Sequence, residues 1–251
     1  FPAADRSESG GGQISVKAII KKEIRAYFHN ILLYMTGAGL MLYAGIRFSG
    51  ILLSPEISTI RSVFAEVAFT LLLFIPLLTM DSFAAEKYVG TDRLLFSSAI
   101  SMHNVVISKY IAAFLTFIVF AGLTLLLPMG VLLLSGVYWA EVLLLYGGVL
   151  LLGSAVCAFG IWISSMSSHG FRALMVTVAG LFAWWMLDAL LPHMGAVWIR
   201  ELFSFVSLFS RFDAFRAGLL SYSAVFYLIS PTILFLLLAI QVLRIWRQRR
   251  A

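Results

Sequence analysis

Six runs of mostly apolar residues divide this chain, and its polar positions gather between them. The runs cover roughly residues 31–53, 62–80, 108–134, 138–163, 172–191 and 224–245. Crossing about 30 Å of hydrocarbon at about 1.5 Å per residue takes about 20 helical residues, and every run is close to that length or longer. The apolar positions are continuous rather than alternating, and irregular backbone cannot face lipid, so the pattern predicts helices and not barrel strands. The expected fold class is an all-α integral membrane protein with six transmembrane helices.

The stretches outside the runs are also patterned. In "SVKAIIKKEIRAYF" (15–28), Val16, Ile20, Ile24 and Tyr27 recur at helical spacing, with Lys17, Lys21, Lys22 and Arg25 largely opposite. That is an amphipathic helix, expected to lie along the cytoplasmic membrane face, either as a plain anchor or as a docking element. Residues 81–107 carry Glu86, Lys87, Asp92 and Arg93, yet Val89, Leu94, Leu95, Phe96, Ile100, Val105 and Val106 give the segment a face to bury. Gly90 and Thr91 interrupt it, and Thr91 can cap a following helix whose first turn holds Asp92. The reading is a compact cytoplasmic helical hairpin extending spans two and three, charged at its tip as a docking element for a soluble partner would be. Residues 192–223 are aromatic-rich and predict one or two short helices dipping into the outer leaflet, ending near Gly218. Residues 1–13 read as a flexible tail, native or vector-derived, and 14–251 as one transmembrane domain.

Composition agrees with the pattern: 61% of the 251 residues are hydrophobic and 12% charged, against roughly 25% charged in soluble domains. Six spans place both termini on one side, and that side receives thirteen of the 18 lysines and arginines. The positive-inside rule makes it the cytoplasm. The net charge of +6 is spread over loops and ends without a basic-aromatic platform, which argues against a nucleic-acid partner. Cys157, the one cysteine, lies in an apolar run. Arg47, Glu66 and Asp188 fall inside spans, toward their outer ends. They read as snorkelling side chains, as an outer vestibule, or as an Arg47–Glu66 pair between neighbouring helices.

No GxxxxGK[ST], HExxH, CxxC or GxSxG pattern occurs, and His29, His103, His169 and His193 share no spacing. The expectation is a chain that is not an enzyme and holds no cofactor or metal of its own.

One resemblance gives these elements a role. "IPLLTMDSFAAEKYVGTDRLLFSSAISMHNVVISKY" (75–110) resembles the signature of type-2 ATP-binding-cassette (ABC) transporter permeases. Pro76 to Met80, Glu86-Lys87, Gly90-Thr91, Leu94-Leu95 and Lys109 match that pattern in order and spacing. "IIKKEIRAYF" (19–28) is similar to the family's N-terminal cytoplasmic helix, and "FDAFRAGLLSYSAVFYLIS" (212–230) to the segment before the last span in gliding-motility-type permeases. The chain departs from the pattern at Asp81, at Ala99 and at His29-Asn30, where the family often carries arginine, proline and proline respectively.

The resemblance implies a permease subunit in a bacterial-type inner membrane, with N and C termini cytoplasmic. It would pair with a second copy or a related permease and be powered by a separate ABC-type subunit that binds ATP and Mg. Lys21, Lys22, Glu23 and Arg25 on the first helix, with Glu86, Lys87, Gly90, Thr91, Asp92 and Arg93 on the hairpin, would be the ATPase-coupling residues. An interior nearly free of charge suggests an amphipathic or lipid-like substrate. The alternative is an ATPase-driven mechanotransmission subunit that moves no substrate and signals to an outer-side accessory protein through residues 192–223.

Overall fold

The structure, a computed structural model, describes residues 16–53, 57–90, 101–126, 139–190, 207, 212, 215 and 222–250. These form α1 (Val16–His29), α2 (Ile31–Leu53), α3 (Ile57–Thr79), α4 (Asp81–Val89), α5 (Met102–Leu126), α6 (Trp139–Met166), α7 (Gly170–Leu190) and α8 (Tyr222–Arg250). Strands are absent among the described residues. Six stretches of helix are long and apolar enough to cross a membrane: those of α2, α5, α6, α7 and α8, and the stretch Ser62–Val89 that joins α3 to α4. The chain is a multi-pass helical membrane protein.

Helix runs on beyond the apolar runs at both sides of the expected hairpin, as arms extending spans two and three require. Past residue 80, Met80 keeps right-handed helical backbone (φ −56°, ψ −41°), and α4 carries the helix on. The helix of the third span starts at Met102, ahead of the apolar run that begins near 108. Ser101 opens it, its carbonyl accepting from Asn104 N–H at 3.1 Å and Val105 N–H at 3.4 Å. Residues 102–107 mix polar and apolar side chains, so a test for continuous apolarity passes over a helix that they nonetheless extend. Of the second arm of the expected hairpin, residues 91–100, with Thr91, Asp92 and Arg93, lie outside the described residues; residues 102–107 are helix, with Val105 and Val106 buried.

α6 is the central post, packing on α3, α4, α5, α7 and α8. Of its apolar window 72% is buried, against 28% for α2, 28% for α8 and 17% for α7, so the most outward faces belong to those three helices. Lipid tails are as apolar as leucine, so association inside the membrane relies on close packing and on small residues that admit neighbours. α6 supplies three such positions. A Cβ on Gly153 would collide with the Phe117 ring of α5, one on Gly160 with Thr79 of α3, and one on Gly148 would lie 2.7 Å from Phe215. Hydroxyl pairs add polar links, Ser154 with Thr232 of α8 at 3.1 Å and Tyr146 to Thr124 of α5 at 3.3 Å.

Phe212 and Phe215 are buried in the main core cluster. The aromatic segment 192–223 thus anchors at least these two rings in protein rather than lipid. Ser207, in the same segment, is buried too, while Tyr222 and Ser223 at its end, where α8 begins, are exposed.

Candidate functional site

The described polar chemistry concentrates at one end of the bundle, where α1, α4, the start of α5, the end of α6, the start of α7 and the end of α8 meet. Pro76 in the last turn of α3 has no N–H for the carbonyl four residues back, which weakens the helix there. Met80 N–H still bonds the Pro76 carbonyl at 3.0 Å. The fully buried hydroxyl of Ser164, on α6, inserts at the joint between α3 and α4. It donates to the Met80 carbonyl at 2.9 Å and accepts from the N–H groups of Phe83 at 3.0 Å and Ala84 at 3.3 Å. One side chain from another helix therefore serves as the N-terminal cap that the first residues of α4 lack.

The rest of α4 is held equally closely. Lys87 Nζ donates to the Ser165 carbonyl and lies 4.5 Å from the Trp246 ring of α8, a cation–π contact. The Tyr88 ring packs 5.0 Å from the His169 ring in the turn between α6 and α7. Asp81 reaches the first residue of α7 so closely that a Cβ on Gly170 would strike its Oδ1, which puts a carboxylate at the positive end of that helix. α4 ends at Gly90, whose φ of 78° and ψ of 9° are the left-handed closing geometry that glycine adopts without strain.

α1 does not simply rest on a membrane face. It packs along α5, with Lys21, Lys22 and Arg25 outward and Ile20, Ile24 and Tyr27 partly buried. Tyr27 Oη and Ser82 Oγ share a hydrogen bond of 3.1 Å. Burial pushes the Tyr27 phenol well above the usual tyrosine range; the Ser82 hydrogen bond lowers it and the nearby Glu23 carboxylate raises it.

Between α1 and α4 stands Lys109 of α5, 3% exposed. Its ammonium meets Glu23 Oε1 at 3.1 Å and Glu86 Oε1 at 2.9 Å, and lies 5.1 Å from the Phe83 ring. On the same end Arg244 of α8 bonds Nε2 of His103 of α5.

Of the sequence-predicted coupling residues, Lys21, Lys22 and Arg25 are exposed on α1, while Glu23, Glu86 and Lys87 turn inward to protein partners. Gly90 closes α4, and Thr91, Asp92 and Arg93 lie outside the described residues. At the far end Arg47 and Glu66 form the ion pair that was one of the readings of their position, joining α2 to α3; Asp188 is part-buried near the end of α7. Sequence reasoning missed Ser164, Trp246 and the ionic role of Lys109. A signal existed for Lys109, an ionisable residue inside the third apolar run, where burial without a partner is expensive. No family model matches the chain, and no curated protein matches it. Among the described residues no group of three His, Cys, Asp or Glu side chains is placed to hold a metal ion.

Proposed function

We propose that this chain is the permease subunit of an ABC transporter, moving an amphipathic or lipid-like substrate and powered by separate ATP-binding subunits that dock at the polar end of the bundle. The observation that carries the reading is the grip on α4. Ser164, Ser165, His169, Gly170 and Trp246 tie that short helix to α6, α7 and α8, so a push on it is delivered to three spans at once. The resemblance of residues 75–110 to type-2 permeases supports the same assignment. On this reading the polar end is cytoplasmic, the exposed Lys21, Lys22 and Arg25 together with Asp92 and Arg93 meet the ATP-binding subunit, and that subunit supplies ATP and Mg. The lightly buried faces of α2, α7 and α8 leave room for a second permease copy.

The mechanotransmission alternative has one observation in its favour. Phe215 of the outer segment presses on Gly148 of α6, the same helix whose Ser164 holds α4, so movement at one end has a rigid route to the other.

The test is co-purification with the ATP-binding protein encoded beside this chain, with hydrolysis measured in membranes. Lys21→Glu, Lys22→Glu and Arg25→Glu together should cut permease-dependent hydrolysis about tenfold or more, as loss of complementary interface charges does. If no ATP-binding protein associates with the wild-type chain, the powered-permease reading is wrong. Substrate flux in vesicles then separates transport from mechanotransmission.

A further inference from the structure

Two helices meet at the polar end with matched side chains. α1 offers Glu23 and Tyr27, and α4 offers Glu86 and Ser82; each pair is four residues apart and so lies on one helix face. Tyr27 bonds Ser82 directly. Glu23 and Glu86 are both carboxylates, and they share one facing group, the Lys109 ammonium at 3.1 and 2.9 Å. The pairing of 27 with 82 and 23 with 86 runs the two helices antiparallel in a fixed register.

The side chains of Lys109, Glu23 and Glu86 are 3%, 13% and 24% exposed. At such burial a lysine without partners would be costly, and two carboxylates facing one another without a cation between them would repel. Lys109 keeps both of these carboxylates only while α1 holds Glu23 and α4 holds Glu86 against it. Sliding α1 by one turn would strip Glu23 from the ammonium and Tyr27 from Ser82 together.

We propose that Lys109 is a positioning residue: its ammonium is the shared counter-ion that fixes α1 and α4 to the head of α5, so the two helices move as one unit. The inference rests on the coupling reading above for its consequence, since it makes forces arriving at the exposed basic face of α1 and at α4 act on one body. The clamp itself does not depend on an ATP-binding partner.

The experiment uses the full chain in lipid nanodiscs, with spin labels at the exposed positions Lys22→Cys and Val89→Cys and the buried Cys157 replaced by Ala. Pulsed electron resonance reads the distance between α1 and α4. The parent and Lys109→Arg should give one narrow distribution. Glu23→Leu leaves Lys109 paired with Glu86 and should keep the fold, but its distribution should roughly double in width as α1 leaves its register. The neutral triple variant Glu23→Gln, Lys109→Met, Glu86→Gln removes the three charges of the cluster together, and should fold with the same broadening. Narrow distributions in both Glu23→Leu and the triple variant would overturn the clamp. In the partner-containing complex, stimulated hydrolysis should fall about tenfold in the triple variant and stay near parental in Lys109→Arg. Broadening with undiminished hydrolysis would keep the clamp and overturn its part in coupling. Failure of the wild-type chain to bind any ATP-binding protein would strike the proposed function while the distance measurement still judged the clamp.

Discussion

Replacing Ser164 by Ala deletes one hydroxyl and changes the side-chain volume little, yet that hydroxyl serves three backbone groups at the α3–α4 joint. The Met80 carbonyl loses its donor, and the Phe83 and Ala84 N–H groups lose a shared acceptor. The two N–H groups divide one oxygen, so the loss amounts to about one accepted and one donated bond rather than three independent ones. A buried group left unpaired costs about 1–3 kcal/mol, and part of that is recovered as the joint relaxes, which puts the local cost at about 2 kcal/mol. α4 has only nine residues, so the penalty should appear as local opening of this helix rather than as global unfolding. Hydrogen exchange followed by mass spectrometry should then show the amides of residues 81–89 exchanging about 30-fold faster, since 1.4 kcal/mol is tenfold in an equilibrium constant. Peptides from α5 and the middle of α6 should be unchanged. Ser165→Ala is the neighbouring control: its hydroxyl bonds the Trp162 carbonyl within its own helix, and α4 uses only its backbone carbonyl. Unaltered protection of residues 81–89 in Ser164→Ala, or equal loss in both variants, would refute the capping argument.

Gly148→Val places branched carbon where Phe215 already sits 2.7 Å from an ideal Cβ; thermal denaturation in detergent should register a loss of about 1–3 kcal/mol, partly restored by adding Phe215→Ala. The Arg47–Glu66 pair joins α2 to α3 within their membrane-spanning stretches, so Arg47→Ala, which takes the cation from Glu66, should cost more stability in the same assay than Arg47→Leu and Glu66→Leu together. Tyr27 carries a raised phenol pKa through burial, so its contribution to stability should be full below about pH 10, the ordinary tyrosine value, and decline as pH rises above it. Ultraviolet difference titration against Tyr27→Phe should find this phenol still protonated when exposed tyrosines have ionised; ionisation alongside the others would contradict its burial.

The six spans were legible because long apolar runs leave a helix as the one arrangement that pairs its own backbone in lipid, and α2, α6 and α7 appear within a few residues of where those runs lie. The start of α5 was less legible, since "MHNVVIS" alternates polarity on a helix that is half covered by neighbours rather than by lipid. α4 was legible as an arm extending the second span, and its backbone does continue α3 past Met80. Glu86, by contrast, looked like a surface charge. Its partner stands 23 residues away and the third member of the cluster 63 residues before it, distances over which composition says nothing about contact. Ser164 is one of several serines in "SSMSS", and nothing local sets it apart from its neighbours. Only the facing helix, with its weakened turn after Pro76, gives that hydroxyl work to do.

The three glycines of α6 have a consequence for how the chain tolerates change over generations. Phe117, Thr79 and Phe215 approach the same helix from three different elements at positions 153, 160 and 148, so even a single added methyl there meets an occupied site. A saturation library should show intolerance at positions 148, 153 and 160 of α6, including substitutions as mild as alanine. α2, whose outward side chains Tyr34, Met35, Leu42 and Ile46 touch little within the protomer, should accept almost any apolar replacement that leaves membrane insertion intact. The contrast inverts the ordinary expectation that large side chains are the irreplaceable ones. Here the residues with no side chain set the boundary within which the larger ones drift.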